Sequence, residues 1–503
     1  MSKIKVVIVG GGTAGWLTAA IYGQITYLND YDITVIESSK IPIIGAGEGS
    51  TGSLPMIIKD ELWPKGWVSE LDFLRKSKAT LKLGIHYKNW DGNNSSFYST
   101  ITSSAFIRAM VDANLFASIL KYGRGDRASI ASWLMENGIS TYNKQYKLGI
   151  PVQVAHGYHF DGVEVGKYFK NISQRYGVKC IDSEVIDTTF DENEFLKSIK
   201  LSNGQVVDGD LFFDCSGFSR VLMSKTKNKW ISYKDNLPNN SALTFSDTIN
   251  SRTVKFETLS ETMNSGWMWK IPLQQRHGCG YVRCDDFQNY DKSVEEIEKK
   301  LGYSIEPIKD IKFEAGKLEK TWYNNIVAIG LSSNFLEPLQ ATNIHISILS
   351  LQTFIGCFSK TKEDIYSECV RNKYNTYMTK LIEDYRDLVQ MHYMAGRNDT
   401  PYWKTIKNEL KITDKNKEYL EISKYRTLTL LDVEHMHGTA GWSVWSHIFD
   451  ICGLFKRDLV LKDIKRAGQE SLSIATLKNV EKEFNKLKPT LLTNEELFKY
   501  LKL

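Results

Sequence analysis

Proline is scarce in this chain, 10 of 503 residues, and no internal repeat, low-complexity tract or linker breaks it up. Its seven cysteines are odd in number, with no CxxC pair and no regular spacing. That excludes a disulfide framework and fits a reducing compartment. No stretch approaches the roughly 18 consecutive apolar residues that a membrane span needs. No charged, apolar leader opens the sequence, so a cytoplasmic protein without membrane attachment is expected. The net charge of +5, from 64 basic and 59 acidic residues, is too small and too dispersed for a nucleic-acid partner. What remains is ordinary globular material, 42% hydrophobic and 24% charged, long enough for about two or three lobes. Aromatic content is high at 12%, with 12 tryptophans. A pocket for a flat, electron-rich molecule would use them, and so would packing.

Residues 4–9, IKVVIV, are apolar and β-branched and read as a buried strand. Glycines end it, a helix-like stretch runs from Trp16 to about Leu28, and YDITVIES reads as a second strand. This is a βαβ unit. Gly10, Gly12 and Gly15 match GxGxxG, with Thr13 and Ala14 inside the turn. The first glycine makes the tight turn, the second admits a pyrophosphate and the third packs helix on strand. The anion then rests on the helix N-terminus. Glu37, closing the second strand, could accept hydrogen bonds from an adenosine ribose. Strand, turn, helix, strand and acid in order point to dinucleotide binding; a turn kept only for packing is the alternative.

Further strands are expected at VKCIDSEVIDTTF, at FLKSIKLSNGQVVD with Asn203-Gly204 as its hairpin turn, at DLFFDCSG and at NIVAIGLSS. From about residue 345 helical patterns dominate, over 362–394, 403–424 and 476–502. The expected architecture is α/β: a discontinuous dinucleotide-binding module with a mixed sheet over residues 1–350, and a mainly helical lobe over 351–503 to which residues 93–150 could contribute.

Three other stretches carry chemistry. IIGAGEGSTGSLP is glycine-rich, and its backbone donors could line a ring system. Lys82 lies in an alternating run with Leu81, Leu83 and Ile85 apolar. On pattern alone it is a solvent-facing lysine, but a buried amine would have a lowered pKa and become nucleophilic. In WMWKIP, Trp267 and Trp269 share one face of a strand, and with Ile271 and Pro272 they make either a stiff wall or plain core.

Together these segments resemble the flavin-dependent halogenases, most closely the tryptophan-halogenase type. GGGTAGW, ATLKLGIHYKNW through Asn89-Trp90, WMWKIP with the following Gly278, Gly280 and Tyr281, DCSGFSR, GYHFDGVEVGKYF and HYMAGRNDTPYWK all look like family segments. The similarity runs over most of residues 4–404. IIGAGEGSTGSLP is similar to the family's IGVGEATIPSL through Gly45, Gly47, Glu48, Ser53 and Leu54, with Thr51-Gly52 in place of Ile-Pro. GLSSNFLEPLQATNIHI resembles the family's GLSSxFLEPLESTGI. Gln340 stands for the catalytic glutamate, Ala341 for the serine and Asn343 for the glycine.

The resemblance implies a flavin monooxygenase-like fold and an FAD-dependent halogenase. FADH2 and O2 would turn a halide ion into hypohalous acid, which Lys82 delivers to an indole- or phenol-like substrate. Gly10, Gly12, Thr13, Ala14, Gly15, Glu37, Gly47, Glu48, Val185, Leu331 and Ile344 would hold the FAD. Thr342 and Asn343 would hold the halide, with Asn343 tolerating the left-handed backbone that the family's glycine provides. Trp267, Trp269, Ile271 and Pro272 would keep substrate from the flavin. Glutamine cannot act as a base, so Glu337 is the substitute carboxylate, with His86 and His345 as further bases. No second nucleotide fingerprint is present, so a separate flavin reductase is the expected partner. His447 and Ile448 lie where the family's tyrosine pair is expected, which disfavours free tryptophan as substrate. The rivals are a flavin-dependent aromatic monooxygenase and a flavin-binding protein that has lost catalysis.

Overall fold

The computed structural model describes residues 3–25, 31–43, 47–58, 69–101, 110–147, 149, 155–358, 361–433 and 438–502. The chain divides into two compact units, each built from three separated segments. The first takes residues 1–79, 160–233 and 314–383, and the second 80–159, 234–313 and 384–503.

In the first unit the β-branched run Ile4–Val9 is the central strand of a six-stranded sheet. Tyr31–Glu37 and Leu211–Asp214 flank it in parallel, followed outward by Lys179–Asp182 on one side and Ile326–Ala328 on the other. Only the edge strand Trp322–Tyr323 is antiparallel. This is the doubly wound arrangement in which ligands collect at the carboxyl ends of the strands. Helix Thr13–Ile25 follows the first strand, and helix Gly162–Arg175, N-capped by Asp161, belongs to the same unit. The expected hairpin is present as Leu196–Leu201 and Val206–Asp208, with Gly204 at φ +86°. Its Leu196, Ile199 and Leu201 bury against Val7, Val9 and Phe212 of the main sheet.

The second unit is built on a seven-stranded sheet in the order Pro307–Lys312, Ser241–Asp247, His277–Arg283, Gly266–Pro272, Glu257–Met263, Gly84–Lys88 and Ser96–Thr100. All pairs are antiparallel except Glu257–Met263 with Gly84–Lys88. Helices Pro401–Glu409, Asp414–Ile422, Trp442–Ile451, Arg457–Ala467, Glu470–Leu487 and Asn494–Leu501 complete the unit. The tryptophans are largely core. Trp90 stacks edge-on with His392 and Trp403, and Trp445 with Tyr419.

All three expected helical runs are interrupted, that over 362–394 at Ser367, whose backbone is extended between Lys362–Tyr366 and Glu368–His392. The run 403–424 stops at Leu410, and a new helix begins at Asp414. Gln390 explains the break: its Oε1 accepts from Thr413 N at 2.9 Å and its Nε2 donates to Lys411 O at 3.0 Å, claiming backbone groups a continuous helix would need. The run 476–502 breaks at Pro489, which cannot continue the helical ladder. The strand Leu491–Thr493 intervenes, and Thr493 then starts the last helix with a capping box.

Candidate active site

The functional geometry falls into two halves, one in each unit. In the first unit, Gly10 at φ +124° ends the central strand, and a Cβ there would stand 2.3 Å from Cys215 O. A Cβ on Gly15 would stand 1.8 Å from Gly10 O. Both glycines are therefore required by backbone packing. Gly12 differs, because a Cβ there would meet nothing within 4 Å. Its missing side chain leaves open space beside the first turn of Thr13–Ile25, where the role assigned to this glycine needs room for a pyrophosphate. Gly330, at φ +70°, sets the turn carrying Leu331 against this helix; its own Cβ would stand 2.9 Å from Ala14 Cβ.

Glu37 sits at the carboxyl end of its strand as expected, but its carboxylate already has protein donors. Trp16 Nε1 donates to Oε2 at 2.9 Å, and Lys170 Nζ and Cys180 Sγ donate to Oε1. Burial pushes its pKa up, and these donors outweigh burial and leave it lowered. Glu48 is the opposite case. Burial, helped by neighbouring Asp161, raises it to about 7, although the hydroxyl of Thr13 donates to its Oε1 at 3.1 Å and pulls the other way. Gly47, at φ +79°, precedes it. Gly45 lies outside the described residues. Val185 is half-buried at the rim of the hairpin core, opposite Leu201.

The segment after Glu337 forms a tight turn, Pro338–Gln340, and then helix Thr342–Thr353. Glu337 is fully buried and Gln340 nearly so. The left-handed residue proves to be Ala341, at φ +55°, and not Asn343, which is already helical. The helix starts two residues earlier than the glycine match implies, which moves the strained position onto the alanine. No side chain caps this helix. Thr342 Oγ1 is buried without a hydrogen-bond partner, while Asn343 Nδ2 donates to Leu336 O at 3.3 Å. Unpaired helix amides beside an orphaned buried hydroxyl fit a small anion. Ile344 follows, half-buried, in the same turn.

In the second unit, Lys82 ends the strand Thr80–Lys82, which pairs with Gly157–Phe160 so that Lys82 lies opposite Gly157. The half-exposed strand that alternation suggests is not found: all three strand residues are buried and Lys82 is 2% exposed. Among the described residues no carboxylate pairs with it. Burial alone pulls its amine down to about 7. His159, opposite Thr80, is fully buried, and burial together with the Lys82 charge holds its pKa well below the usual histidine range. Its Nε2 contacts Thr258 Oγ1 at 2.8 Å. This neutral histidine was not picked out from the sequence; its only signal is its place in GYHF. His86 stacks on Tyr98 and contacts Ser96 Oγ.

The same unit holds WMWKIP as the strand Gly266–Pro272. Trp267 and Trp269 are 1% and 7% exposed, with ring centroids 6.1 Å apart. Trp269 lies opposite Gly280, where a Cβ would stand 2.1 Å from its indole ring. Thr80 Oγ1 donates to Pro272 O at 2.5 Å, which ties the lysine strand to the end of the tryptophan strand. In helix Trp442–Ile451, Trp442 and Trp445 are core, and His447 Nδ1 contacts Ser99 Oγ at 3.1 Å.

Residues 5–450 match the tryptophan halogenase family, and the chain belongs to that family. It is a flavin-dependent halogenase. It is 28% identical over 443 residues to the tryptophan 6-halogenase of Streptomyces albogriseolus, covering 84% of this chain and 82% of that one. It is 28% identical over 441 residues to the tryptophan 7-halogenase of Lentzea aerocolonigenes, covering 83% and 81%. The solved tryptophan 6-halogenase of Streptomyces toxytricini superposes with a TM-score of 0.86 at 26% identity, over 100% of both chains. No helix among the described residues is long and apolar enough to cross a membrane.

Proposed function

We propose that this halogenase acts on an indole- or phenol-like aromatic other than free tryptophan, through Lys82. The carrying observation is the amine itself, buried, without a carboxylate partner among the described residues and pulled to about 7. A large share of it is neutral near pH 7, so its lone pair is available to take up an electrophilic halogen or to orient hypohalous acid. Reduced FAD, with dioxygen and a halide, supplies that oxidant, and a separate reductase supplies the reduced flavin. In this reading Gly10 to Gly15, Glu37, Gly47 and Glu48 hold the cofactor, and Val185, Leu331 and Ile344 border its ring. Thr342 and Asn343 seat the halide. Trp267, Trp269, Ile271 and Pro272 exclude the organic substrate from the flavin. Gln340 lacks the charge to stabilise a cationic ring intermediate, and Glu337 is the carboxylate left to do so.

The test is mass spectrometry of an aromatic panel incubated with FAD, a flavin reductase and each halide in turn. Halogenated product that disappears in Lys82→Ala is expected. Product carrying 18O from labelled dioxygen would instead establish aromatic hydroxylation. Gln340→Glu is expected to change the rate about tenfold, since one charge-assisted contact is worth roughly 1.5 kcal/mol; an unchanged rate places residue 340 outside the chemistry.

A further inference from the structure

Thr51 and Ser53 flank Gly52 in the glycine-rich stretch, and Ser53 opens the short helix Ser53–Ile58. His345 lies in the first turn of Thr342–Thr353. Its Nδ1 is 3.1 Å from Thr51 Oγ1 and 3.0 Å from Ser53 Oγ, and the two hydroxyls are 2.9 Å apart. The three groups close a triangle that joins two pieces of chain nearly 300 residues apart in sequence. One of those pieces is the stretch assigned to the flavin, and the other is the turn assigned to the halide.

The triangle occurs where this chain departs from the family segment. Isoleucine in place of Thr51 would supply no hydroxyl, and proline in place of Gly52 would stiffen the backbone without help. Glycine does the reverse, leaving the loop more freedom to lose when it is ordered. Hydrogen bonds from a histidine restore that order from outside the loop. The contact also survives protonation. A bare Nδ1 accepts from a hydroxyl, whereas a protonated one donates to it.

We propose that His345 is a positioning residue that pins Gly47–Ser53 to the Thr342 turn and thereby sets FAD affinity. This rests on the reading of those two segments as flavin and halide contacts. Nδ1 has one lone pair or one proton to share between the two hydroxyls, so cutting the clasp loses about one hydrogen bond, up to about a tenfold change in affinity.

Oxidised FAD is titrated into the apoprotein and followed by flavin fluorescence, for wild type, His345→Leu, His345→Asn, Thr51→Val and the double variant His345→Leu/Thr51→Val. The melting temperature of each apoprotein checks folding. Asparagine places an amide close to where Nδ1 stands and is expected to keep wild-type affinity. Leucine weakens FAD binding about tenfold, Thr51→Val weakens it less because Ser53 Oγ still reaches Nδ1, and the double variant is no weaker than His345→Leu alone. Wild-type affinity in both His345→Leu and Thr51→Val, or losses that add in the double variant, overturns the clasp. Failure of asparagine to rescue also overturns it, since a purely space-filling role would respond in that way. Should His345→Leu not fold, Thr51→Val and His345→Asn decide the matter. A wild-type chain that binds no FAD is a distinct result, which overturns the functional reading and the clasp with it.

Discussion

Glu37 and Lys82 both end strands and both are ionisable, yet their surroundings differ in kind. Glu37 has donors from Trp16, Lys170 and Cys180, and its charged form is favoured. Lys82 has burial and, among the described residues, no carboxylate partner, and its charged form is disfavoured. The first unit holds Glu37 by hydrogen bonding, which favours one geometry and one protonation state. The lysine unit holds its amine by exclusion of water, which costs stability.

The strongest way to break this contrast is Lys82→Met. Halogenation is expected to fall at least ~1000-fold, as for loss of a covalent or delivering group. Stability should move the other way. The folded pKa of about 7 lies below the ordinary 10.5, so below pH 7 the native wild type must bury a charge. That penalty is relieved as pH rises from 7 to 10.5. The variant is therefore expected to be more stable, by up to about 5 kcal/mol below pH 7, with the gain shrinking to nothing by pH 10.5. Denaturant melts across that range check it, and a variant no more stable than wild type at pH 6 defeats the idea that Lys82 is held by burial alone.

Glu257 sharpens the contrast, because it is a second dry group in the lysine unit. It is 5% exposed and lies opposite Gly84, its Oε2 has no hydrogen-bond partner, and burial pushes it up to about 8. Here the unfolded chain ionises near 4.5 while the native acid stays neutral until about 8. Wild-type stability should fall as pH rises between those values. Glu257→Gln should flatten that window and gain up to about 5 kcal/mol at pH 8. Equal slopes for the two proteins would show that Glu257 is charged and paired after all.

The smallest effect belongs to the first unit. Ala341 at φ +55° carries a left-handed strain that glycine would not. Ala341→Gly is expected to add about 1 kcal/mol of stability, read as a rise in denaturation midpoint. A loss instead would mean that the alanine methyl packs well enough to offset the strain.

Much of the first unit was legible because local rules decide it. Ile4–Val9 is apolar and β-branched, Gly10 and Gly15 have no room for a Cβ, and Asn203-Gly204 is a turn by composition. The lysine was less legible. Alternation around Lys82 looks like a half-exposed strand, and only distant segments at Gly157–Phe160 and Pro272 bury it. His159 and Glu257 carry no local pattern that sets them apart from ordinary polar strand residues. The break at Leu410–Thr413 is likewise dictated by Gln390, a residue in another helix, which no window of sequence contains.

Gly280 has a consequence for anyone wishing to alter what this enzyme accepts. The Trp269 indole is seated in the gap left by an absent methyl, 2.1 Å from where that carbon would be. Every substitution at that codon therefore moves this ring before it touches any compound. If the proposed barrier role holds, a mutagenesis campaign that spares Gly280 varies the guest, and one that includes it changes the wall as well.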